Sequence, residues 1–313
     1  MREDRARVVM NVPAAKHGAV LNDASAKMAE RMHAVFYLRT IGGNDAIVQL
    51  SECLLNRSGS ELLRHEVAFV LGQMGDESAN ATLTAILQDV DDDVMVRHEA
   101  AEALGAIGSM SSIEALVRFL DDASIEVSQT CKLALERIKW KRDSGSDGSN
   151  GAGSGKSDKY KCTDPAPAVD IYSSVTDLEA VLLDTSHPLF DRYGALFALR
   201  EWGGADCANA LARGLVEDDS SALFRHEVAY VLGQMHEPCT LNALAESLSR
   251  VGESKMVRHE AAEALGAIGT SEAIGFLKKF SSDACAVVRE SCLVALDAAE
   301  YWNDETDVAE EDR

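Results

Sequence analysis

Four histidine–glutamate pairs stand out in the sequence because both side chain types can bind a metal ion and because the pairs recur at fixed spacings. Within each set the pairs are 33 residues apart, and the two sets are offset by 161 residues. Imidazole with carboxylate favours iron or manganese, whereas a structural zinc site would be expected to use thiolates. The spacing therefore predicts a metal site built from His65-Glu66, His98-Glu99, His226-Glu227 and His259-Glu260.

The alternative is that each pair lies on the solvated face of a surface helix. On a helical projection His98 falls opposite the apolar stripe that contains Val96, so the pair is expected to point toward the open side of its repeat. A purely structural pair should recur in every repeat. The matching positions of the flanking repeats instead carry Met32-His33, Gln129-Thr130, Tyr193-Gly194 and Glu290-Ser291. This restriction to the inner repeats favours a function.

The elements that must position these pairs come from a duplicated sequence. Met95 to Gly108 reads MVRHEAAEALGAIG, and the same fourteen letters return from Met256 to Gly269. A period near 33 residues with helical patterning is typical of a solenoid of helix pairs. The sequence predicts an all-α fold: an α-solenoid of eight helical-hairpin repeats in two four-repeat halves related by pseudo-twofold symmetry.

Composition divides the chain further. The predicted halves are residues 1–140 and 169–302. A Gly/Ser-rich segment at 141–168 is expected to be a flexible linker, and an acidic tail at 303–313 is expected to be disordered.

Charge and cysteine content exclude several classes of function. The net charge of −22 disfavours nucleic acid and anionic membrane surfaces and favours a cationic partner. There is no apolar run long enough for a membrane span and no visible secretory signal. Seven cysteines without a C-x-x-C pair indicate reduced thiols, and the sequence therefore predicts a cytoplasmic protein.

Helix packing predicts how the pairs meet. Equivalent helices of neighbouring repeats stack about 8–10 Å apart, so we expect His65 to reach His98 and His226 to reach His259. Two halves facing one another would then form a dinuclear site in one cleft. A zinc peptidase motif would need histidine four residues further on, and these positions hold Phe69, Glu102, Tyr230 and Glu263. Glu102 and Glu263 are second-shell candidates that could orient the metal ligands; the alternative is that they are solvated.

The quartet with its two spacings resembles the deoxyhypusine hydroxylase family of HEAT-repeat di-iron monooxygenases. The resemblance implies that eight HEAT-like repeats carry a di-iron centre, which is itself the catalytic group. It further implies O2 as cosubstrate, an external reductant, and the deoxyhypusine form of translation initiation factor 5A as partner and substrate. Because the duplicated chain already supplies both halves of the site, we expect a monomer. The iron ligands that the resemblance implies are His65, His98, Glu99, His226, His259 and Glu260. It assigns Glu66 and Glu227 to contacts with the substrate amines.

Two other classes of function stay open at this point. One is a non-catalytic acidic scaffold that binds a basic peptide or protein. The other is a hydrolase that uses the same dinuclear site with a different metal.

Overall fold

The computed structural model of the chain describes residues 13–144, 156–157 and 159–311, without the side chains of 156–157 and 301–311. In these residues α-helices follow one another, and most of them pack on the next helix, on the one after it, or on both. This pattern confirms the predicted all-α solenoid; the exact number of repeats stays a prediction. Within the described part of the chain, no helix combines the length and the hydropathy that crossing a bilayer requires.

The helices form two compact units, and the first comprises Met1–Lys156 and Cys162–Pro165. Two short 3-10 helices, Glu77–Ala79 and Met110–Ser112, precede its α5 and α7. Its described α-helices are α1 (Ala14–Leu21), α2 (Met28–Ile41), α3 (Gly43–Leu55), α4 (Glu61–Met74), α5 (Asn80–Gln88), α6 (Val94–Ile107), α7 (Ile113–Arg118) and α8 (Ile125–Asp143).

The second unit comprises Ser157–Lys161 and Ala166–Arg313. A 3-10 helix, Pro238–Thr240, precedes its α13, and two strands, β1 (Lys156–Ser157) and β2 (Cys162–Thr163), pair in the chain between the helical blocks. Its described α-helices are α9 (Val175–Leu183), α10 (Leu189–Trp202), α11 (Gly204–Glu217), α12 (Ala222–Met235), α13 (Leu241–Ser249), α14 (Lys255–Ile268), α15 (Ser271–Phe280) and α16 (Ala286–Glu311).

Side-chain caps set the start of the four helices that carry the His-Glu pairs. An oxygen of the N-cap residue accepts a hydrogen bond from a backbone N–H of the first turn in each case, which satisfies a donor that the helix itself leaves unpaired. The caps are Ser60 for α4, Asp93 for α6, Ser221 for α12 and Ser254 for α14. The start of each helix fixes where the histidine, a few residues later, must point.

Small residues let these helices approach closely. A methyl group at Gly72 of α4 would lie 2.7 Å from the Cα atom of Ala103 in α6, and one at Gly233 of α12 would lie 3.1 Å from the Cα atom of Ala264 in α14. Each glycine follows a histidine, His65 or His226, by seven residues and so lies on the same side of the helix. The close approach therefore brings consecutive histidine-bearing helices together.

The arginine before each histidine holds its helix in place. Arg64 donates from Nε to the carbonyl oxygen of Leu54 (2.8 Å) and from Nη1 to Oδ1 of Asp92 (2.7 Å), which joins the end of one helix to the start of another. Arg97 and Arg258 make the same two kinds of contact. The arginine of the Arg-His-Glu motif is thus a structural residue, whereas the histidine and glutamate that follow it are not used in this way.

The segment predicted as a linker at 141–168 is shorter in the structure. Helix α8 runs to Asp143, and on the other side Asp164 and Ala166 are only 5% and 0% exposed. The side chain of Gln73 replaces a strand partner here: it donates to the carbonyl oxygen of Thr163 (3.1 Å) and accepts from its N–H (2.8 Å). This pairing orders a segment whose composition alone predicts flexibility. Residues 145–155 and 158 of the predicted linker lie outside the described residues.

The predicted disordered tail also differs, because α16 continues to Glu311 and so includes most of residues 303–313. Of the predicted domains, residues 1–12 and 312–313 lie outside the described part of the chain. The remaining domain boundaries stay predictions.

Candidate metal centre

In the first unit, α4 and α6 bring three ligand candidates together. Nε2 of His65 lies 3.2 Å from Oε2 of Glu99, and the rings of His65 and His98 are 5.5 Å apart between centroids. One nitrogen of each histidine and one carboxylate oxygen of Glu99 all lie within 4.8 Å of one another, and all three residues are buried. Three such atoms at this separation can bind one metal ion.

Glu66 lies next to this cluster. Its Oε1 atom is 3.2 Å from Nδ1 of His65, on the opposite side of the ring from the contact with Glu99. Burial lowers the pKa of His65, but the carboxylates of Glu99 and Glu66 outweigh it and hold this pKa well above its usual range. The two carboxylates therefore favour positive charge at His65, and a metal ion bound there would compete with the proton.

In the second unit, α12 and α14 form a corresponding cluster. Nε2 of His226 lies 3.3 Å from Nε2 of His259, and Oε2 of Glu260 lies 3.4 Å from the first and 3.5 Å from the second. An ion in the middle of such a triangle would be about 2 Å from each atom, which is the usual length of metal–nitrogen and metal–oxygen bonds in proteins. The three atoms already have the spacing of a metal-binding triad.

The chemistry of the donors fits this interpretation. Each cluster offers two imidazoles and a carboxylate without a thiolate, which is the ligand type of open, non-haem metal sites. All eight residues of the four pairs are buried, with exposed fractions of 6% or less. The alternative that each pair is simply solvated on a surface helix is therefore wrong, because these side chains are enclosed. Burial strengthens the attraction between these carboxylates and a cation.

The two second-shell candidates have different surroundings. Oε1 of Glu263 lies 3.5 Å from Nδ1 of His259, one helical turn away, in the position to orient that ring. Glu102 makes no ion pair with a histidine among the described residues; it lies within electrostatic reach of Glu99, Arg137 and Asp164. Burial, with the carboxylate of Glu99, raises the pKa of Glu102 well above its usual range.

Glu227, the remaining predicted residue, is 3% exposed and follows His226 directly on α12. The structure thus gathers the six predicted ligands into two clusters of three, with Glu66 in contact with the first. That the two clusters face one another across a shared cleft stays a prediction, as does the division of roles among the glutamates.

Sequence reasoning missed two charged residues near the first cluster, Arg137 of α8 and Asp164 of the segment after β2. Both are buried, with exposed fractions of 3% and 5%. A weak signal existed for Arg137, since it lies between the buried residues Ala134 and Ile138 of the same helix. Asp164 gave none, because it lies in a segment whose composition predicts a linker.

Comparison with known proteins agrees with the fold. The family model for HEAT repeats matches residues 47–136, and the PBS lyase HEAT-like repeat model matches residues 257–283. Helix pairs of this type, with two buried clusters of histidine and glutamate, define a HEAT-repeat protein with candidate metal sites.

Full-length relatives define the family more narrowly. Deoxyhypusine hydroxylase of Drosophila melanogaster is 45% identical over 286 residues, or 91% of each chain, and the human enzyme is 45% identical over 91% of this chain and 90% of its own. The structure of human deoxyhypusine hydroxylase in complex with glycerol matches with a TM-score of 0.87 at 44% identity, covering 94% of this chain and 98% of the other. The chain belongs to the deoxyhypusine hydroxylase family, as its sequence pattern predicts.

Proposed function

We propose that this protein hydroxylates the deoxyhypusine side chain of translation initiation factor 5A and so forms hypusine, with two iron ions and O2. When bound, the iron ions supply the redox chemistry: one oxygen atom of O2 enters a C–H bond as hydroxyl. The other leaves as water, with two electrons from an external reductant and two protons. The chain's own residues bind, orient and enclose the reacting groups.

The observation that carries the proposal is the pair of matched ligand sets. His65, His98 and Glu99 supply two imidazoles and a carboxylate in one unit, and His226, His259 and Glu260 supply the same set in the other. One ion in each set gives the two irons that the reaction requires. Membership of the deoxyhypusine hydroxylase family supports the same reaction.

Glu66 and Glu227 are proposed to bind the amines of the substrate. The deoxyhypusine side chain is a long polyamine-like cation, and a chain with a net charge of −22 attracts it. In the first unit one oxygen of Glu66 is close to Nδ1 of His65, so this carboxylate also orients the ring and directs Nε2 toward the metal position. Its second oxygen is the candidate acceptor for an ammonium group.

We further propose that the protein acts as a cytoplasmic monomer. All seven cysteines are free, which fits a reducing compartment. The duplication places both ligand sets on one chain, so a second copy is not needed to complete the metal centre.

The test uses the full chain with deoxyhypusine-containing translation initiation factor 5A. We expect about two iron ions per chain, a coloured protein after exposure to O2, and a mass increase of one oxygen atom on the substrate. With labelled O2 the label should enter the product.

Zinc without colour, together with a hydrolysed product, would point to the hydrolase instead. A metal-free chain that keeps its protein partner after all four histidines are changed to Ala would support a non-catalytic scaffold and refute the proposal.

A further inference from the structure

A small cavity in the first unit carries polar atoms that the proposed reaction does not explain. It measures about 10 Å³ and is lined on its polar side by Glu102, Thr130 and Arg137, and on its other side by Gly105, Leu133, Ala134 and Pro165. Among the described residues, Nε and Nη1 of Arg137 and Oε2 of Glu102 are buried without a hydrogen-bond partner. Leaving a guanidinium group unsatisfied in this way is costly, so a partner is expected.

The size of the cavity defines the partner. A volume of about 10 Å³ is near the smallest space that accepts one water molecule and is too small for a larger ligand. Arg137 is 3% exposed and forms no ion pair with Glu102 or Asp164 among the described residues, although both carboxyl groups act on it electrostatically. Polar groups that face one another beyond hydrogen-bond distance are commonly joined by a bridging water.

The cavity also distinguishes the two units. The residue 161 positions after Arg137 is Ala298, so the second unit has no arginine at this place. There the equivalent glutamate, Glu263, lies 3.5 Å from Nδ1 of His259. The same position in two identical stretches of sequence thus lies beside a histidine in one unit and beside a buried arginine in the other.

We propose that Arg137 is a positioning residue for the first metal site, which holds the carboxyl group of Glu102 through one buried water molecule in this cavity. Glu102 in turn lies within electrostatic reach of Glu99 and His65, two of the predicted ligands. Fixing its position keeps a second carboxyl group from displacing Glu99. Asp164 completes the arrangement as an additional negative group near Arg137.

This inference rests on the proposed function only in that His65 and Glu99 bind a metal ion. Its test is a titration of the metal-free full chain with Co²⁺, followed by absorption, which reports each site without any need for activity. Arg137→Met is expected to weaken binding about tenfold at one of two sites, as removal of groups behind metal ligands commonly does. Arg137→Lys should restore part of the affinity.

A double-mutant cycle tests the route through Glu102. If the effect of Arg137 passes through this carboxyl group, the two losses of metal affinity should not add. The double variant Arg137→Met, Glu102→Gln should then lose no more affinity than the single variant with the larger loss. The matched control is Arg142→Met, which removes an exposed arginine from the same helix and should leave both sites unchanged. Additive losses, or equal losses at both sites, would overturn the proposal.

The water itself gives a measurement that does not depend on the variants folding. A high-resolution crystal structure of the full chain should show one water about 3 Å from Nε or Nη1 of Arg137 and from Oε2 of Glu102. A direct contact between the two side chains, or a dry cavity, would refute it. Failure of the wild-type chain to bind Co²⁺ at all would count against the proposed function. Co²⁺ binding that stays unchanged in the Arg137 variants would count against this inference alone.

Discussion

The two units contain the same fourteen-residue stretch, MVRHEAAEALGAIG, yet its second glutamate has different neighbours in each. In the second unit Glu263 lies beside His259, whereas in the first Glu102 lines a cavity with Arg137. The difference arises outside the stretch: α8 carries Arg137 where α16 carries Ala298, and residues 162–165 belong to the first unit. Identical local sequence therefore fixes the helix and its ligands and leaves their surroundings to neighbouring elements.

The largest expected effect tests whether the two ligand sets are equivalent. His98→Ala and His259→Ala each remove one of three ligand atoms from a buried cluster, so each should reduce bound metal from two ions to about one. Hydroxylation should fall by about a thousandfold or more in each variant, since groups that act as a unit fail together. Metal analysis and product mass spectrometry measure this. A variant that keeps full activity would show that one unit suffices.

The next effect concerns the glutamate whose neighbours differ between the units. Glu263→Ala removes the carboxylate beside Nδ1 of His259, so we expect metal binding about 10- to 100-fold weaker at one site. A Co²⁺ titration measures it, and Glu272→Ala, an exposed glutamate of α15, is the matched control. Unchanged affinity in Glu263→Ala would mean that this carboxylate does not orient the ring.

A smaller difference is expected in helix packing. Gly72→Ala would place a methyl 2.7 Å from the Cα atom of Ala103, whereas Gly233→Ala would leave 3.1 Å to that of Ala264. We expect Gly72→Ala to lower the free energy of unfolding by about 2–3 kcal/mol and Gly233→Ala to lower it by about 1 kcal/mol, because the backbone must shift further to accommodate a methyl group at position 72.

Urea unfolding measures both variants. The control is Gly275→Ala, where a methyl meets nothing within 4 Å and should stabilise its helix by up to about 1 kcal/mol. Equal losses in the first two variants would show that the difference between the units is not reflected in packing.

The smallest effect concerns the ends of the two equivalent helices. Gly75 directly follows α4 and His236 directly follows α12, and both are in the left-handed conformation, with φ of 69° and 54°. A side chain at this conformation costs about 1 kcal/mol, so His236→Gly should raise the free energy of unfolding by about that amount. Thermal unfolding of the variant checks this. The reverse change, Gly75→His, should lower stability in the first unit by a similar amount.

Much of the fold and of the ligand set is predictable from the sequence because both follow from short-range periodicity. The 33-residue spacing places His65 and His98 on equivalent helices, and the apolar stripe sets which side packs. The burial of these side chains was not predictable, since a projection of one helix contains no information about what encloses its polar side. Asp164 was missed for a related reason: it is ordered by contacts of its neighbour Thr163 with Gln73, 90 residues earlier in the chain.

The sequence by itself determined the helical repeat, the duplication and the identity of the metal-ligand candidates, because each depends on residue type and spacing along the chain. Only the tertiary structure decided the distances of 3.2–3.5 Å between ligand atoms and the surroundings of Glu102 and Glu263. It alone revealed the cavity beside Arg137. These features depend on side chains from separate helices meeting in space, and their separation along the chain does not encode that meeting.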